Sequence, residues 1–397
     1  MIPRLLEKHV VADLVNDRQA IVVLGARQVG KTTLVKDIQA MLSDDSARAL
    51  YLNCDIDEQR EAVNTTSLAV IGQLLQNVDL LFIDEAQRLS DPGRTVKVIH
   101  DNFPKVRVLV TGSSSLDLQN KLSDAMTGRI FEFKLFPLSF AEVLAAQEQG
   151  SNQNAHLLKQ SADALLPSIL IYGLYPAVYT EGDPTRKQRL LIGVTQNYLF
   201  KDVLAYRGVK NAQAIQDLAR ALAYQIGSEV NETELSKRLG IDNKTIASYI
   251  DILEKAFVLV RVTPYAKNLR REIGSKYKVY FVDLGIRNAL IGDFNSPNIR
   301  SDRGVLWENF LIVERMKAYA NRNEAIAHYN FWRSYDGAEV DYIEKPYDKP
   351  LSAYEFKYGP GKLSRGAYSF SSTYQTDVQL VNTDNYLDFI GLPAANA

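Results

Sequence analysis

The 397-residue chain carries 46 Lys and Arg against 47 Asp and Glu, and 46% of it is hydrophobic. This is ordinary globular composition at a length that holds about two to four domains. The net charge of −1 excludes an overall basic field for nucleic acid, so any such surface must be local. The one cysteine, Cys54, excludes a disulfide framework and suits a reducing cytoplasm. The opening residues MIPRLLEKHVVADLVNDRQ are broken by charge and lack a signal-peptide core. No apolar run reaches the roughly 18–20 residues that span a bilayer, so the expected home is the cytoplasm, with no membrane partner.

In chain order, the first predicted strand is the apolar run Ala20–Leu24, followed by Gly25-Ala-Arg-Gln-Val-Gly30-Lys31-Thr32 and an amphipathic helix from Thr33 to Leu42. A glycine-rich turn between strand and helix lets backbone N–H groups close on a β-phosphate at the positive end of the helix. Gly25, Arg27, Gly30, Lys31, Thr32 and Thr33 are the expected ATP-binding positions. Lys31 would reach the β- and γ-phosphates, and the Thr32 hydroxyl would join a Mg²⁺ shell. Further strands are predicted at 49–53, 79–83, 106–111 and near 130–133, alternating with helical patterns as in a parallel sheet covered by helices.

The strand 79–83 runs into Asp84 and Glu85. Asp84 at the strand tip would hold Mg²⁺ through water, and Glu85 would orient or polarise the attacking water. Two acids rather than one argue for hydrolysis as well as binding. The strand 106–111 ends in Gly112-Ser-Ser-Ser115, which reads either as a γ-phosphate sensor or as a Ser-rich turn capping a helix. Arg129 could stabilise a phosphoryl-transfer transition state in cis or from a neighbouring subunit, or could be structural; Arg27 is a second candidate.

The strings RQVGKTT, LLFIDEAQ, VTGSSS and GRIFEFKLFPLSFAEVL resemble the bacterial and archaeal AAA-type ATP-binding proteins that carry a trailing domain of unknown function. The stretch 128–140 is especially characteristic of that group. Downstream, YGLYPAVYT is similar to the family's Gly-Gly-Phe-Pro stretch, with Tyr172 in place of its first glycine.

Residues 148–155 form a polar loop pattern, and 156–227 turn helical. Residues 231–240 and 245–257 have helix–turn–helix spacing, with 258–262 and 278–282 as a candidate wing. Lys237, Arg238, Lys244, Arg270, Arg271, Lys276 and Lys278 are the basic residues available to DNA phosphates. A winged-helix lid that packs on the ATPase without touching DNA is the other reading.

In the tail, strands are predicted at 328–333, 338–344, 351–357 and 377–382. Asp341 falls mid-strand, and period two puts Glu355 and Lys357 on one face of the next strand. Such a set can hold one or two Mg²⁺ ions and steady an activated water beside a scissile phosphate, and Glu308 on an upstream amphipathic helix could join it. The arrangement resembles the PD-(D/E)XK nuclease superfamily. That resemblance implies Asp341 and Glu355 as metal ligands for Mg²⁺ or Mn²⁺, Lys357 as the catalytic lysine, and Glu308 as the helix-borne acid.

The expected fold class is α/β: a P-loop NTPase core over 1–145, a helical lid over 146–227, a winged-helix domain over 228–282 and a restriction-endonuclease-like α/β domain over 283–397. The expected activity is ATP hydrolysis by Lys31, Thr32, Asp84 and Glu85, with metal-dependent cleavage or sensing of DNA by the tail. An ATP-driven switch whose tail binds DNA or protein without cleaving is the alternative, and self-association is a further expected partnership.

Overall fold

A computed structural model describes residues 2–43, 48–113, 116–147, 155–199, 203–204, 209, 211–266, 276–324, 328–346 and 349–392. Five strands form an N-terminal sheet: β1 (Ala20–Gly25), β2 (Ala49–Asn53), β3 (Leu80–Asp84), β4 (Arg107–Ser113) and β5 (Ile130–Lys134). Their order is β2-β3-β4-β1-β5, and every pairing is parallel. All six residues of β1 are buried, as a central parallel strand covered on both faces requires. Alternation sends Ile21 and Val23 into one core and Ala20, Val22 and Leu24 into another. The first of these cores is shared with the rest of the molecule. It runs without a break through Phe140, Leu218, Ile250 and Phe310 to Tyr386.

A second sheet has the order β11-β10-β9-β8-β6-β7. Its strands are β6 (Leu259–Pro264), β7 (Lys278–Phe281), β8 (Asn330–Arg333), β9 (Glu339–Glu344), β10 (Ser352–Phe356) and β11 (Val378–Val381). The helices Glu232–Leu239 and Asn243–Lys255 precede it; Asn231 and Asp242 cap their N-termini, and Gly240 at φ 67° ends the first. The two candidate wing strands pair, antiparallel. However, β6 also pairs in parallel with β8, through Thr263 with Asn330 and Pro264 with Phe331. The wing strands are thus part of the C-terminal sheet, and the expected boundary at 283 falls within one packed body.

The turn at Tyr172-Gly173 uses the one glycine that this chain keeps there. Gly173 takes φ 67°, and a Cβ there would meet Asp283 Oδ1 at 2.1 Å. Tyr172 instead stacks on Phe294, with ring centroids 6.1 Å apart. Asp283 accepts from Leu174 N at 2.7 Å and caps the helix Leu284–Ile291.

Candidate nucleotide site and a second polar centre

β1 ends in the loop that the sequence marks as phosphate-binding. Gln28 and Gly30 both have positive φ, 63° and 99°, and a Cβ on Gly25 would meet Leu135 O at 2.3 Å. The helix Lys31–Leu42 has Gly30 at its N-cap, a residue with no side chain to cap the N–H groups of the first turn. Those donors are the physical basis of an anion site. Lys31 is 4% exposed, and its Nζ donates to Gly25 O and Ala26 O at 3.0 Å each, so the ammonium lies under the loop. Arg27 is half-buried in the loop, and Thr33 is exposed on the first helical turn.

At the tip of β3, fully buried Asp84 accepts hydrogen bonds from Thr32 Oγ1 at 2.7 Å, Tyr51 OH at 2.7 Å and Thr111 Oγ1. The Thr32 hydroxyl and the Asp84 carboxylate are hard oxygen donors side by side, a set that fits Mg²⁺. Glu85 follows at φ 55°, with its N–H on Thr111 Oγ1 at 3.2 Å and its carboxylate accepting from Gln87 Nε2. Gln87 Oε1 is buried and has no hydrogen-bond partner among the described residues. Register places Ser113 beside Gly25, so the expected sensor segment does reach the loop; Ser114 and Ser115 lie outside the described residues. Burial pushes the Cys54 thiol up to about 12, which keeps it protonated and chemically quiet.

Arg129 sits at the wrong end of the sheet for its own loop. Its carbonyl accepts from Ala20 N at the start of β1, whereas the loop follows the strand's end, and its guanidinium pairs with Asp101 at 3.2 Å. It does not face the phosphate loop in cis.

Arg4 is the residue that sequence reading missed. Its Nη1 donates to Val29 O at 2.7 Å, its Nη2 to Phe136 O at 2.7 Å, and its Nε to Glu142 Oε1 at 3.0 Å. Glu142 also accepts from Leu5 N and Ser139 N. The helix Arg303–Asn321 then grips the same segment: Glu314 accepts from Phe140 N at 2.6 Å, Lys317 Nζ donates to Leu138 O at 2.9 Å, and Asn321 Nδ2 donates to Ser139 Oγ at 3.1 Å. Phe140 packs edge-on against Phe310 of that helix. The Pro137-Leu-Ser-Phe140 stretch therefore links the phosphate loop to the C-terminal half by continuous polar and aromatic contact.

The second polar centre lies at the other end of that helix. Asp341 on β9 accepts from Phe356 N at 2.7 Å, Glu355 on β10 accepts from Ser364 N at 2.8 Å, and Lys357 Nζ pairs with Glu355 at 2.8 Å. Asp341 and Glu355 thus lie on the paired strands β9 and β10, with Lys357 paired to Glu355. Burial, then the Glu308 charge, pushes Asp341 up to about 7. Burial works most strongly against the charge on Lys357, but the Glu355 hydrogen bond together with the charges of Glu355, Asp341 and Glu308 holds this lysine above its ordinary range. Glu308 is taken up otherwise: it accepts from Tyr280 OH and lies 3.4 Å from Lys278 Nζ, which also pairs with Glu339. Among the described residues, no group of three or more His, Cys, Asp or Glu is arranged to hold a metal.

Lys278 is 3% exposed, which corrects its expected role as a phosphate contact. Lys237, Arg238 and Lys244 are exposed, Lys276 lies 3.9 Å from Glu229, and Arg270 and Arg271 fall outside the described residues. A cleft of 760 Å³ between β5, β6 and the helix Asn243–Lys255 is lined by none of the nucleotide-site or acidic-centre residues. No helix among the described residues is long and apolar enough to cross a membrane.

The parallel sheet, the loop after its interior strand β1 and the Thr32–Asp84 pair define a P-loop α/β domain. Residues 17–144 match the family model described as "AAA domain". Residues 163–296 and 303–389 match two models described as domains of unknown function, DUF8612 and DUF4143. An uncharacterized protein of Haemophilus influenzae is 25% identical, over 92% of this chain and 86% of its own length. Another from Mycobacterium tuberculosis is 28% identical, over 82% of this chain and 68% of its own. Among solved structures, a replication initiator DnaA bound to AMPPCP and single-stranded DNA overlaps 63% of this chain and 86% of its own, at 16% identity and a TM-score of 0.29.

Proposed function

We propose that the chain binds ATP with Mg²⁺ at the loop 25–32, hydrolyses it, and uses the change to drive its C-terminal half as a molecular switch. The observation that carries this reading is the Thr32 hydroxyl bonded to Asp84 at 2.7 Å, above a buried Lys31. The first-turn N–H groups would receive the β-phosphate. Lys31 would leave the carbonyls of Gly25 and Ala26 to pair with the β- and γ-oxygens. Thr32 and Asp84 would hold Mg²⁺, which when bound neutralises charge on the phosphate oxygens. Glu85, held beside Gln87 and Thr111, would take a proton from the attacking water as its oxygen bonds to the γ-phosphorus and the bond to the bridging oxygen breaks. A contraction of the loop would pull on Val29 and so on Arg4, Glu142 and the helix Arg303–Asn321.

A second reading, cleavage of DNA phosphodiesters with Mg²⁺ or Mn²⁺, is favoured by the convergence of Asp341, Glu355 and Lys357. Exposed Lys237, Arg238 and Lys244 are the local basic residues a DNA contact would use. One experiment separates the readings: the chain is incubated with ATP, supercoiled plasmid and either divalent ion. Phosphate release that stops on chelation is expected, and a chain that binds ATP but releases no phosphate overturns the hydrolysis. Nicking that disappears in Asp341→Ala supports cleavage, and intact plasmid throughout overturns it.

A further inference from the structure

We propose that the Lys278 ammonium is the resident cation of the C-terminal acidic centre, closing Glu308 and Glu339 to a divalent metal. Lys278 opens β7, and its side chain is 4% exposed. Its Nζ pairs with Glu339, lies 3.4 Å from Glu308 and sits 5.1 Å from the centroid of the Phe331 ring. Tyr280, two residues on and so on the same face of β7, donates its hydroxyl to the same oxygen of Glu308. The helix-borne acid that a metal would need is therefore held by an ammonium and a phenol.

The physical reason is charge and space. A buried ammonium is tolerated only when paired and hydrogen-bonded, and here two carboxylates and an aromatic face do this. A divalent ion in the same cage would meet that positive charge at contact range, and Mg²⁺ tolerates only near-ideal octahedral oxygen shells. The closure follows from the pairing of β6 with β8, which builds β7 into this sheet and brings Lys278 to the acids of β9. The inference does not rest on ATP hydrolysis, and it sets a condition on the nuclease reading: the acids left for a metal are Asp341 and Glu355.

The test uses the full chain without nucleotide, titrated with Mn²⁺ and followed by the electron paramagnetic resonance of the free ion. The wild type should show no Mn²⁺ site that depends on Glu308. Lys278→Met, which keeps length and removes charge, should gain a site at least about tenfold tighter. Adding Glu308→Gln to Lys278→Met should remove that site. A wild-type Mn²⁺ site that is lost in Glu308→Gln overturns the proposal. So does a Lys278→Met variant with native circular dichroism and no gain in affinity. If Lys278→Met does not fold, the comparison of wild type with Glu308→Gln decides alone.

Discussion

Replacing Lys31 with alanine should reduce ATP turnover by at least about a hundredfold while leaving the fold in place. An ammonium aimed at the phosphates is worth several kcal/mol in the transition state, because the charge there spreads over γ-oxygens in a site that excludes water. What the fold loses is smaller. Lys31 Nζ makes hydrogen bonds to two carbonyls of its own loop, Gly25 and Ala26, and a net hydrogen bond contributes about 1 kcal/mol. Glu85→Gln offers the contrast. It removes the proton acceptor but keeps the loop and the Thr32–Asp84 pair, so ATP should bind as in the wild type and turnover should fall about 10²–10³-fold. Nucleotide affinity and phosphate release, measured on the same preparations, separate the two. Equal turnover in wild type and Lys31→Ala would remove the site assignment.

Arg4→Ala should be the most damaging single change outside the loop. Arg4 and Glu142 form a buried pair, their side chains 7% and 0% exposed, and removing the guanidinium leaves the Glu142 charge uncompensated. Breaking such a pair costs about 3–5 kcal/mol, which lowers the thermal midpoint by several degrees. It also frees Val29 O, so the affinity for ATP should weaken together with stability. Glu142→Gln on the same background should recover part of the loss, because it removes the orphaned charge without restoring the tie to the loop. Thermal melts of the two single variants and the double variant supply the coupling energy. A change below about 1 kcal/mol in Arg4→Ala would contradict the role given to this pair.

The parts of this chain written in local pattern were legible from sequence. The apolar strands, the Gly-rich loop with its GKT ending, and Asp84-Glu85 at a strand tip all rest on neighbours within a few residues. The spacing of Asp341, Glu355 and Lys357 was legible for the same reason. What escaped depends on distant partners: Arg4 meets Glu142 across 138 positions, and Lys278 meets Glu339 across 61. Nothing at Lys278 distinguishes a buried counter-ion from a surface phosphate contact until β6 is seen beside β8. The choice between a structural and a phosphate-facing Arg129 stayed open in the sequence because a glycine-arginine step before a strand says nothing about which end of the sheet it occupies. The Pro137–Phe140 stretch was recognised by resemblance, but its physical role lies in the grip of Glu314, Lys317 and Asn321.

ATP at the loop should act on the C-terminal half through residues 137–142 and the helix Arg303–Asn321. Amide hydrogen exchange of the Glu85→Gln chain, with and without ATP and Mg²⁺, tests it most directly. Slower exchange in the loop 25–32, in 137–142 and along 303–321 is the predicted result. Protection confined to the loop, with both other segments unchanged at saturating ATP, would contradict it.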